Sequence, residues 1–192
     1  MASLDAANGA GSGPIPLSKR PADVALVAFF SINVLGITYM EGFEQLAIAD
    51  PNGFEYPLWP PRFMVDLVHW WGRNFDPLLM ARPVWWRVII GIDVVFFGPF
   101  YVCAIYAFTK GREWIRIPSI IWASVMLTMV AVILGEEMLG EHATPEFAIV
   151  LLANAFWGLF PLFVLYRMIT RPHPFTTAAP LEADAAAGRS LP

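Results

Sequence analysis

The chain has 192 residues, of which 57% are hydrophobic and 15% aromatic, a composition that excludes an ordinary soluble domain and predicts a multi-pass membrane protein. Its 12 basic and 16 acidic residues give a net charge of -4, so a phosphate-neutralising surface is not expected and nucleic acid is excluded as a partner. Cys103 is the single cysteine, which excludes an intrachain disulfide and a cysteine metal cluster. We expect neither a metal nor a cofactor.

The N-terminal tail is followed at once by an apolar segment. Residues 1–20 are rich in Gly, Ala and Ser and lack the basic start of a cleaved signal, so we expect a disordered tail and a first helix that directs targeting. That helix is predicted from Ala22 to Ala47, with Pro21 at its entry and Asp50-Pro51-Asn52-Gly53 after its end. At helical spacing, one face of it carries Asn33, Ile37, Glu41 and Glu44.

Residues 54–83 are too polar to span a membrane. Within them the stretch from Arg62 to Gly72 is amphipathic, rich in aromatic residues, and preceded by Pro60-Pro61. Two interpretations remain open. The stretch is either a short helix at the membrane interface that covers the bundle, or an ordinary packed loop helix.

The second apolar segment, Val84 to Gly111, has the length of a membrane-spanning helix with an acid inside it. Asp93 lies about 12 Å along that helix from Trp85 at the α-helical rise. A carboxylate at this depth costs several kcal/mol unless it faces a partner, a cavity or a ligand, so Asp93 is a candidate functional residue. Pro99 predicts a kink one to two turns beyond the acid, which would open space beside it.

Two further spans follow. The third is predicted from Ile117 to about Leu139, contains Thr128 among its weakly polar residues, and ends on Glu136-Glu137. The fourth is predicted from about Pro145 to Met168. Its polar stripe consists of Asn154, Trp157, Gly158 and Pro161. Residues 169–192 are rich in Pro and Ala and are predicted to form a second disordered tail, leaving 21–168 as a four-helix membrane domain.

The charges that flank the spans predict their orientation. Basic residues at 19–20, 110–116 and 167–171 share one side of a four-span bundle, so the positive-inside rule places both termini in the cytoplasm. The membrane would be the inner membrane of a bacterium or the endoplasmic reticulum of a eukaryote. This topology predicts that the polar groups of the four helices meet in one layer. They are Glu41, Glu44, Asp93, Glu136 and Asn154.

Paired carboxylates in that layer would have a definite chemistry. Ionising both of two facing acids costs much free energy in surroundings of low dielectric constant. Asp93 and either Glu41 or Glu44 are therefore expected to share a proton. Such a pair can protonate an alkene and later remove a proton, or it can simply bind an ammonium or hydroxyl group. The aromatic candidates for stabilising a carbocation are Phe96, Phe97, Tyr101 and Trp157. The same aromatics also suit a purely structural place in the core or against lipid.

Several motifs resemble one family of membrane proteins. They are Tyr56-Pro57, Phe75 to Leu79, Asp93 to Phe100, Tyr106 to Phe108 with Lys110-Gly111, and Trp114 to Ile121. In this order and at this spacing they are similar to the EXPERA family, which contains sterol isomerases and sigma-two-type receptors. The resemblance covers roughly residues 31–167.

The resemblance implies a four-helix membrane bundle, often dimeric, with a pocket in the membrane for sterols or cationic amphiphilic amines. It implies that Asp93 matches a pocket acid of the second helix and that Glu41, or Glu44 in its place, matches one of the first. Asp76 matches a structural acid of the loop, and Trp157 replaces a pocket tyrosine. The sterol isomerases use a histidine in the membrane, whereas the three histidines here lie in predicted loops or the tail.

Three functions therefore compete. The first is an enzyme that isomerises a double bond or cyclises a sterol or terpenoid through Asp93, Glu41 and Glu44. The second is a receptor or lipid-trafficking protein that binds its ligand without changing it. For either one, the expected ligand contacts are Asn33, Phe96, Phe97, Tyr101, Thr128, Glu136, Asn154 and Trp157. The third, a proton-coupled transporter, is disfavoured by the small number of spans.

Overall fold

The computed structural model describes residues 14–176, and within that range the chain is a bundle of four long antiparallel helices. Each is long and apolar enough to cross a membrane, which confirms the four predicted spans. In chain order the helices are α1 (Pro21–Ala47), α2 (Arg62–Asn74), α3 (Leu78–Ala81), α4 (Val84–Lys110), α5 (Glu113–Leu139) and α6 (Phe147–Thr170). The spanning helices are α1, α4, α5 and α6.

At one end of the bundle lie the start of α1, the end of α4, the start of α5 and the end of α6. The Arg20 guanidinium donates to the carbonyl of Phe108 over 2.8 Å, and Arg116 Nε donates to the carbonyl of Met168 over 2.7 Å. At the opposite end, the Thr144 hydroxyl donates to the carbonyl of Phe75 over 2.5 Å. These long-range bonds join chain segments that the sequence separates.

Parts of the two predicted tails are ordered. The Ile15 amide donates to the carbonyl of Phe175 over 2.9 Å, and Phe175 is fully buried against Phe108. Residues 14–20 and 171–176 thus pack on the bundle instead of extending from it, because an aromatic side chain gains free energy when it leaves water. The remainder of the predicted disorder, in residues 1–13 and 177–192, lies outside the described residues.

An aromatic core joins α1, α4 and α5. Phe30, Tyr101 and Trp122 are buried, and the ring centroids of Phe30 and Trp122 lie 5.4 Å apart in an edge-to-face arrangement. The Phe100 ring stacks on Trp122 at 5.2 Å. Such offset and edge-to-face pairs stabilise a core by more than the burial of their apolar area alone. This core fills the half of the bundle near Arg20 and Arg116, which we name the basic end.

Two of the spanning helices change their hydrogen-bond pattern. Residues Asn33–Gly42 of α1 and Asp93–Phe97 of α4 are π-helical, and the second π segment ends directly before Gly98-Pro99. Proline removes a backbone donor, and a π turn is one way in which a helix accommodates the loss. The predicted disturbance near Asp93 therefore takes the form of a π turn that contains the acid itself.

The two π-containing helices meet at Gly98. The ring of Tyr39 in α1 lies against this glycine so closely that a Cβ atom there would be 2.7 Å from the Tyr39 Cζ atom. The contact is possible only because residue 98 has no side chain, since real Cβ atoms essentially never approach a heavy atom so closely. Gly91, seven residues earlier in α4, has open space around the corresponding position.

Helix α2 is held over the bundle by a buried ionic cluster. Glu44, at the end of α1, accepts hydrogen bonds from Arg82 over 2.9 and 3.0 Å, and its Oε1 lies 2.9 Å from Nε2 of His69 in α2. Arg82 also donates to the carbonyls of Leu79 and Ile48 over 2.7 and 2.6 Å. These bonds hold Arg82 in a left-handed backbone conformation, φ 46°, that non-glycine residues seldom adopt.

Replacing Gly98 by alanine is expected to destabilise the bundle by about 1–3 kcal/mol, because the new methyl group must displace the Tyr39 ring. The measurement is thermal unfolding in detergent. Gly91→Ala is the matched control and should leave the midpoint unchanged or raise it, since its methyl group meets open space and alanine favours helix. Equal midpoints for the two variants would contradict the Tyr39 contact.

Stability is expected to fall as the pH drops below about 6.5, through His69. Burial is the main cause that lowers the pKa of His69 from its ordinary value of 6.5; the charges of Arg82 and Arg73 lower it further, while Glu44 opposes them. Below about pH 6.5, His69 is therefore protonated in the unfolded chain but still neutral in the folded chain. Lowering the pH in this range favours unfolding. Thermal midpoints measured from about pH 8 to pH 5 should show this loss in the wild type and in His142→Gln, but less in His69→Gln. The same slope in all three would exclude His69 as the source.

Candidate functional site

The half of the bundle away from Arg20 and Arg116 contains a partly open cavity of about 440 Å³, within the size range of small-molecule sites. We name it the acidic cavity, after the carboxylates described below. All four spanning helices and α2 line this acidic cavity. Most of its wall is apolar, with Met126, Met129 and Val130 from α5, and Ile89 and Ile90 from α4. An apolar wall in this position suits the hydrocarbon part of a ligand.

Helix α2 closes one side of the acidic cavity. Its apolar residues Met64, Leu67, Val68 and Trp71 recur at helical spacing and all line the cavity. The sequence predicted this amphipathic helix and left open whether it covers the bundle; the observed contacts show that it does. The four residues were not among the predicted ligand contacts, although their spacing was visible in the sequence.

Three carboxylates face the same cavity. Glu41 lies on the π segment of α1, Asp93 on the π segment of α4, and Asp76 in the turn before α3. The negative charges of Asp76 and Asp93 both act on Glu41. None of the three forms a salt bridge with a residue in the range 14–176. The cavity therefore offers uncompensated acceptors to a positive charge, a hydroxyl group or shared protons.

Gly42 of α1 lies beside the carboxylate of Asp93. A Cβ atom at Gly42 would lie 3.7 Å from Oδ2 of Asp93 and 3.6 Å from the side chain of Ile90. These are ordinary van der Waals distances, so position 42 has room for a methyl group beside the carboxylate. Glu41 of α1 and Asp93 of α4 thus line the same cavity.

Two polar side chains of α6 complete the lining. The indole of Trp157 donates to Oδ1 of Asn33 over 2.8 Å, and Asn33 in turn donates to the carbonyl of Phe29 over 2.8 Å. Asn33 is buried and does not line the cavity, so it orients Trp157 instead of serving as the ligand contact that was predicted. Asn154 lines the cavity and donates to the carbonyl of Val150 over 2.9 Å.

Glu44 lies outside the cavity. Sequence spacing aligned it with Asn33 and Glu41 on one α-helical face, but the i to i+5 bonding of the π segment rotates the residues that follow it. Its carboxylate instead binds Arg82 and His69. The proposed catalytic role of Glu44 has no geometric support, and Glu41 is the acid of α1 that accompanies Asp93.

The predicted aromatic contacts of α4 also lie elsewhere. Phe96 is 67% exposed on the outer surface of the bundle. Phe97 and Tyr101 are buried in the aromatic core, where the Tyr101 ring lies 5.9 Å from that of Trp122. The π turn at Asp93–Phe97 again changes which residues follow the acid on its face of the helix.

Two polar candidates of α5 point away from the cavity. The hydroxyl of Thr128 is exposed and donates to the carbonyl of Ser124 over 2.9 Å, a bond within its own helix. The carboxylate of Glu136 lies 2.8 Å from Nδ1 of His142 and accepts from the His142 backbone amide over 3.0 Å. Both groups are satisfied locally, so neither acts as the ligand contact that was predicted.

Glu137 is a functional candidate that sequence reasoning missed. It is fully buried, and neither carboxylate oxygen has a hydrogen-bond donor among the described residues. The negative charge of Asp76, which lines the acidic cavity, acts on Glu137. Its place in the sequence, at the end of an apolar segment beside Glu136, is typical of a membrane-interface position.

Comparison with known proteins identifies the family. The sequence model of the EXPERA (EXPanded EBP superfamily) family matches residues 63–168. The sigma intracellular receptor 2 of Xenopus tropicalis is 36% identical over 83 residues, which are 42% of this chain and 48% of that protein. The human and Macaca fascicularis proteins of the same name are each 39% identical over 80 residues, 41% of this chain and 45% of theirs.

The aligned segment spans about half the length of these curated relatives. The family match, in contrast, covers more than half of the chain and includes all of α4 and α5 and nearly all of α2 and α6. The four candidate membrane spans agree with a family of multi-pass membrane proteins. The chain therefore belongs to the EXPERA family.

Proposed function

We propose that the acidic cavity binds an isoprenoid lipid, a sterol above all, or a cationic amphiphilic amine, with its polar end at Glu41 and Asp93. The observation that carries the proposal is the meeting of three carboxylates inside one apolar cavity, with no salt bridge to any residue in the range 14–176. The curated relatives are named receptors, and their similarity to this chain supports a binding function. The bilayer is the expected surroundings of the protein, and a homodimer stays a prediction.

The electrostatics of the acidic cavity favour such a ligand. An ionised carboxylate in an apolar site costs several kcal/mol, and a second one nearby raises that cost. A ligand ammonium offsets the charge directly, and a sterol hydroxyl can donate to one oxygen while a shared proton neutralises the other acid. Glu41 and Asp93 are therefore best stabilised when an amphiphile occupies the cavity.

The shape of the wall suits the apolar remainder of the ligand. Met64, Met126 and Met129 line the cavity, and methionine side chains adjust to irregular apolar surfaces. Gly36 lines it as well, and open space surrounds the position of its missing side chain. A larger residue at 36 would occupy the volume that the ligand needs.

A second candidate function is catalysis, and the tryptophans of the cavity favour it. Trp71, Trp86 and Trp157 line the same wall as Glu41 and Asp93. The protonated acid of the pair would give its proton to one alkene carbon, whose π electrons form the new C–H bond and leave a cation on the neighbouring carbon. The indole faces would stabilise that cation.

The ionised acid would then complete the reaction. It removes a proton from a carbon adjacent to the cation, and the released C–H electron pair forms a double bond at the new position, which is an isomerisation. Attack of a second alkene on the cation before this proton is lost would close a ring. In either case one proton enters and one leaves, so the acid pair is regenerated.

Filling the acidic cavity should abolish lipid binding without unfolding the protein. We expect Gly36→Leu to reduce the amount of co-purified sterol or isoprenoid at least tenfold, because its side chain extends into the space of the ligand. Mass spectrometry of lipids extracted from the purified protein measures this. Gly158→Leu is the matched control, since Gly158 also has open space around it but does not line the cavity. Equal lipid content in both variants would contradict the cavity as the binding site.

Replacing Asp93 by asparagine separates binding from catalysis. Because the variant removes the ionic contact with an ammonium group, we expect the affinity for the probe dodecylamine to fall about tenfold or more. The affinity for cholesterol should change less. Glu141→Gln, an exposed acid outside the cavity, should change neither. An unchanged dodecylamine affinity in Asp93→Asn would exclude this acid as the amine contact.

The lipids extracted from wild type and Asp93→Asn test the catalytic candidate. Enzymatic turnover predicts an enriched isoprenoid that differs between the two in double-bond position or ring number. The same unmodified lipid in both would contradict catalysis and leave the binding function.

A further inference from the structure

A second cavity, of about 320 Å³, lies at the basic end of the bundle. The residues before and at the start of α1 line one side of it, and the end of α6 with the following turn lines the other. The lining consists of Ile15, Lys19, Arg20, Pro21, Ala22, Asp23, Phe163, Tyr166, Arg167, Arg171 and Pro174. Because spanning helices begin and end here, this basic cavity lies at the level of lipid headgroups.

The lining of the basic cavity contains more positive than negative side chains. Four cationic side chains, of Lys19, Arg20, Arg167 and Arg171, face a single lining carboxylate, that of Asp23. Asp23 is fully buried and forms salt bridges with both Arg20 and Arg167, including a 3.0 Å hydrogen bond from Arg167. One carboxylate cannot neutralise four cations, so the lining keeps an excess of positive charge.

Arg20 and Arg167 are held rigidly. Arg20 donates to the carbonyls of Ile15 and Phe108, each over 2.8 Å, and Arg167 donates to that of Pro174 over 3.0 Å. Both guanidinium groups lie over the Phe175 ring, at 5.2 and 5.3 Å from its centroid. The nearby acid Glu113 accepts from the Phe175 amide over 3.0 Å and does not line the cavity.

Lys19 and Arg171 are the exposed cations of the lining, and neither forms a salt bridge with another described residue. Beside them, Phe163 and Tyr166 of α6 are 40% and 68% exposed on the outer face of the bundle. One end of a ligand in this cavity would therefore contact cations. Its other end would contact aromatic side chains on the side of the membrane hydrocarbon. That combination matches an anionic amphiphile.

We infer that the basic cavity binds the phosphate headgroup of an anionic phospholipid, with Lys19 and Arg171 as its direct contacts and Arg20 and Arg167 as fixed charges behind them. The acyl chains would lie along Phe163 and Tyr166. This lipid site is separate from the acidic cavity and independent of the ligand bound there.

The test compares two double variants of the full chain in detergent. Lys19→Gln with Arg171→Gln removes two cations from the cavity, and Lys110→Gln with Arg112→Gln removes two exposed cations of the same end that do not line it. The probes are dioleoyl phosphatidylglycerol and dioleoyl phosphatidylcholine, and binding is followed by native mass spectrometry. Thermal unfolding confirms that both variants are folded.

We expect the preference for phosphatidylglycerol to fall about fivefold per cavity charge, thus about 25-fold in the first variant. The second variant should stay within about twofold of the wild type. Equal losses in the two variants, or no loss in the first, would overturn the site in favour of diffuse surface attraction. Inorganic phosphate that binds the wild type as tightly as phosphatidylglycerol does would overturn the assignment to a lipid.

Discussion

The cost of a carboxylate in an apolar environment organises this bundle. An acid there needs a basic partner, a cavity with a ligand, or a proton. Asp23 and Glu44 have arginine partners. The Asp23 cluster joins the start of α1 to the end of α6, and the Glu44 cluster holds helix α2 in place. Glu41, Asp76 and Asp93 have none among the described residues and face one cavity instead. The acids without basic partners thus mark the site, and the paired acids support it.

The π segments give the site its geometry. Such segments are rare and occur frequently at functional sites, because they alter the direction of side chains within an otherwise regular helix. Here each of the two carries one of the central acids, Glu41 in α1 and Asp93 in α4. Gly42 lies beside the second acid, and Gly98 admits the ring of Tyr39 one turn further along. The two π segments therefore place both acids on the wall of one cavity.

The two cavities differ in charge and lie in opposite halves of the bundle. The acidic cavity has apolar walls and lies under α2, so it suits a molecule that enters the membrane with a hydroxyl or ammonium group. The basic cavity lies at the helix ends, where positive charge and exposed aromatic side chains suit a phospholipid.

Much of this architecture was determined by local sequence. The lengths of the apolar segments predicted the four spans, since a helix must cross a fixed thickness of hydrocarbon. The same reasoning identified Asp93, and the polar stripes identified Glu41, Asn154 and Trp157, because polar groups in such helices turn inward.

Tertiary structure decided the rest. Glu44 lies off the predicted face because the π segment rotates the residues after it, and Arg82, 38 residues later, binds it there. Asn33 supports Trp157 instead of lining the cavity. Phe97 and Tyr101 entered the aromatic core. Local periodicity assumes a uniform α-helix and records only one helix at a time, whereas π turns and partners distant in the chain determine where each of these side chains lies.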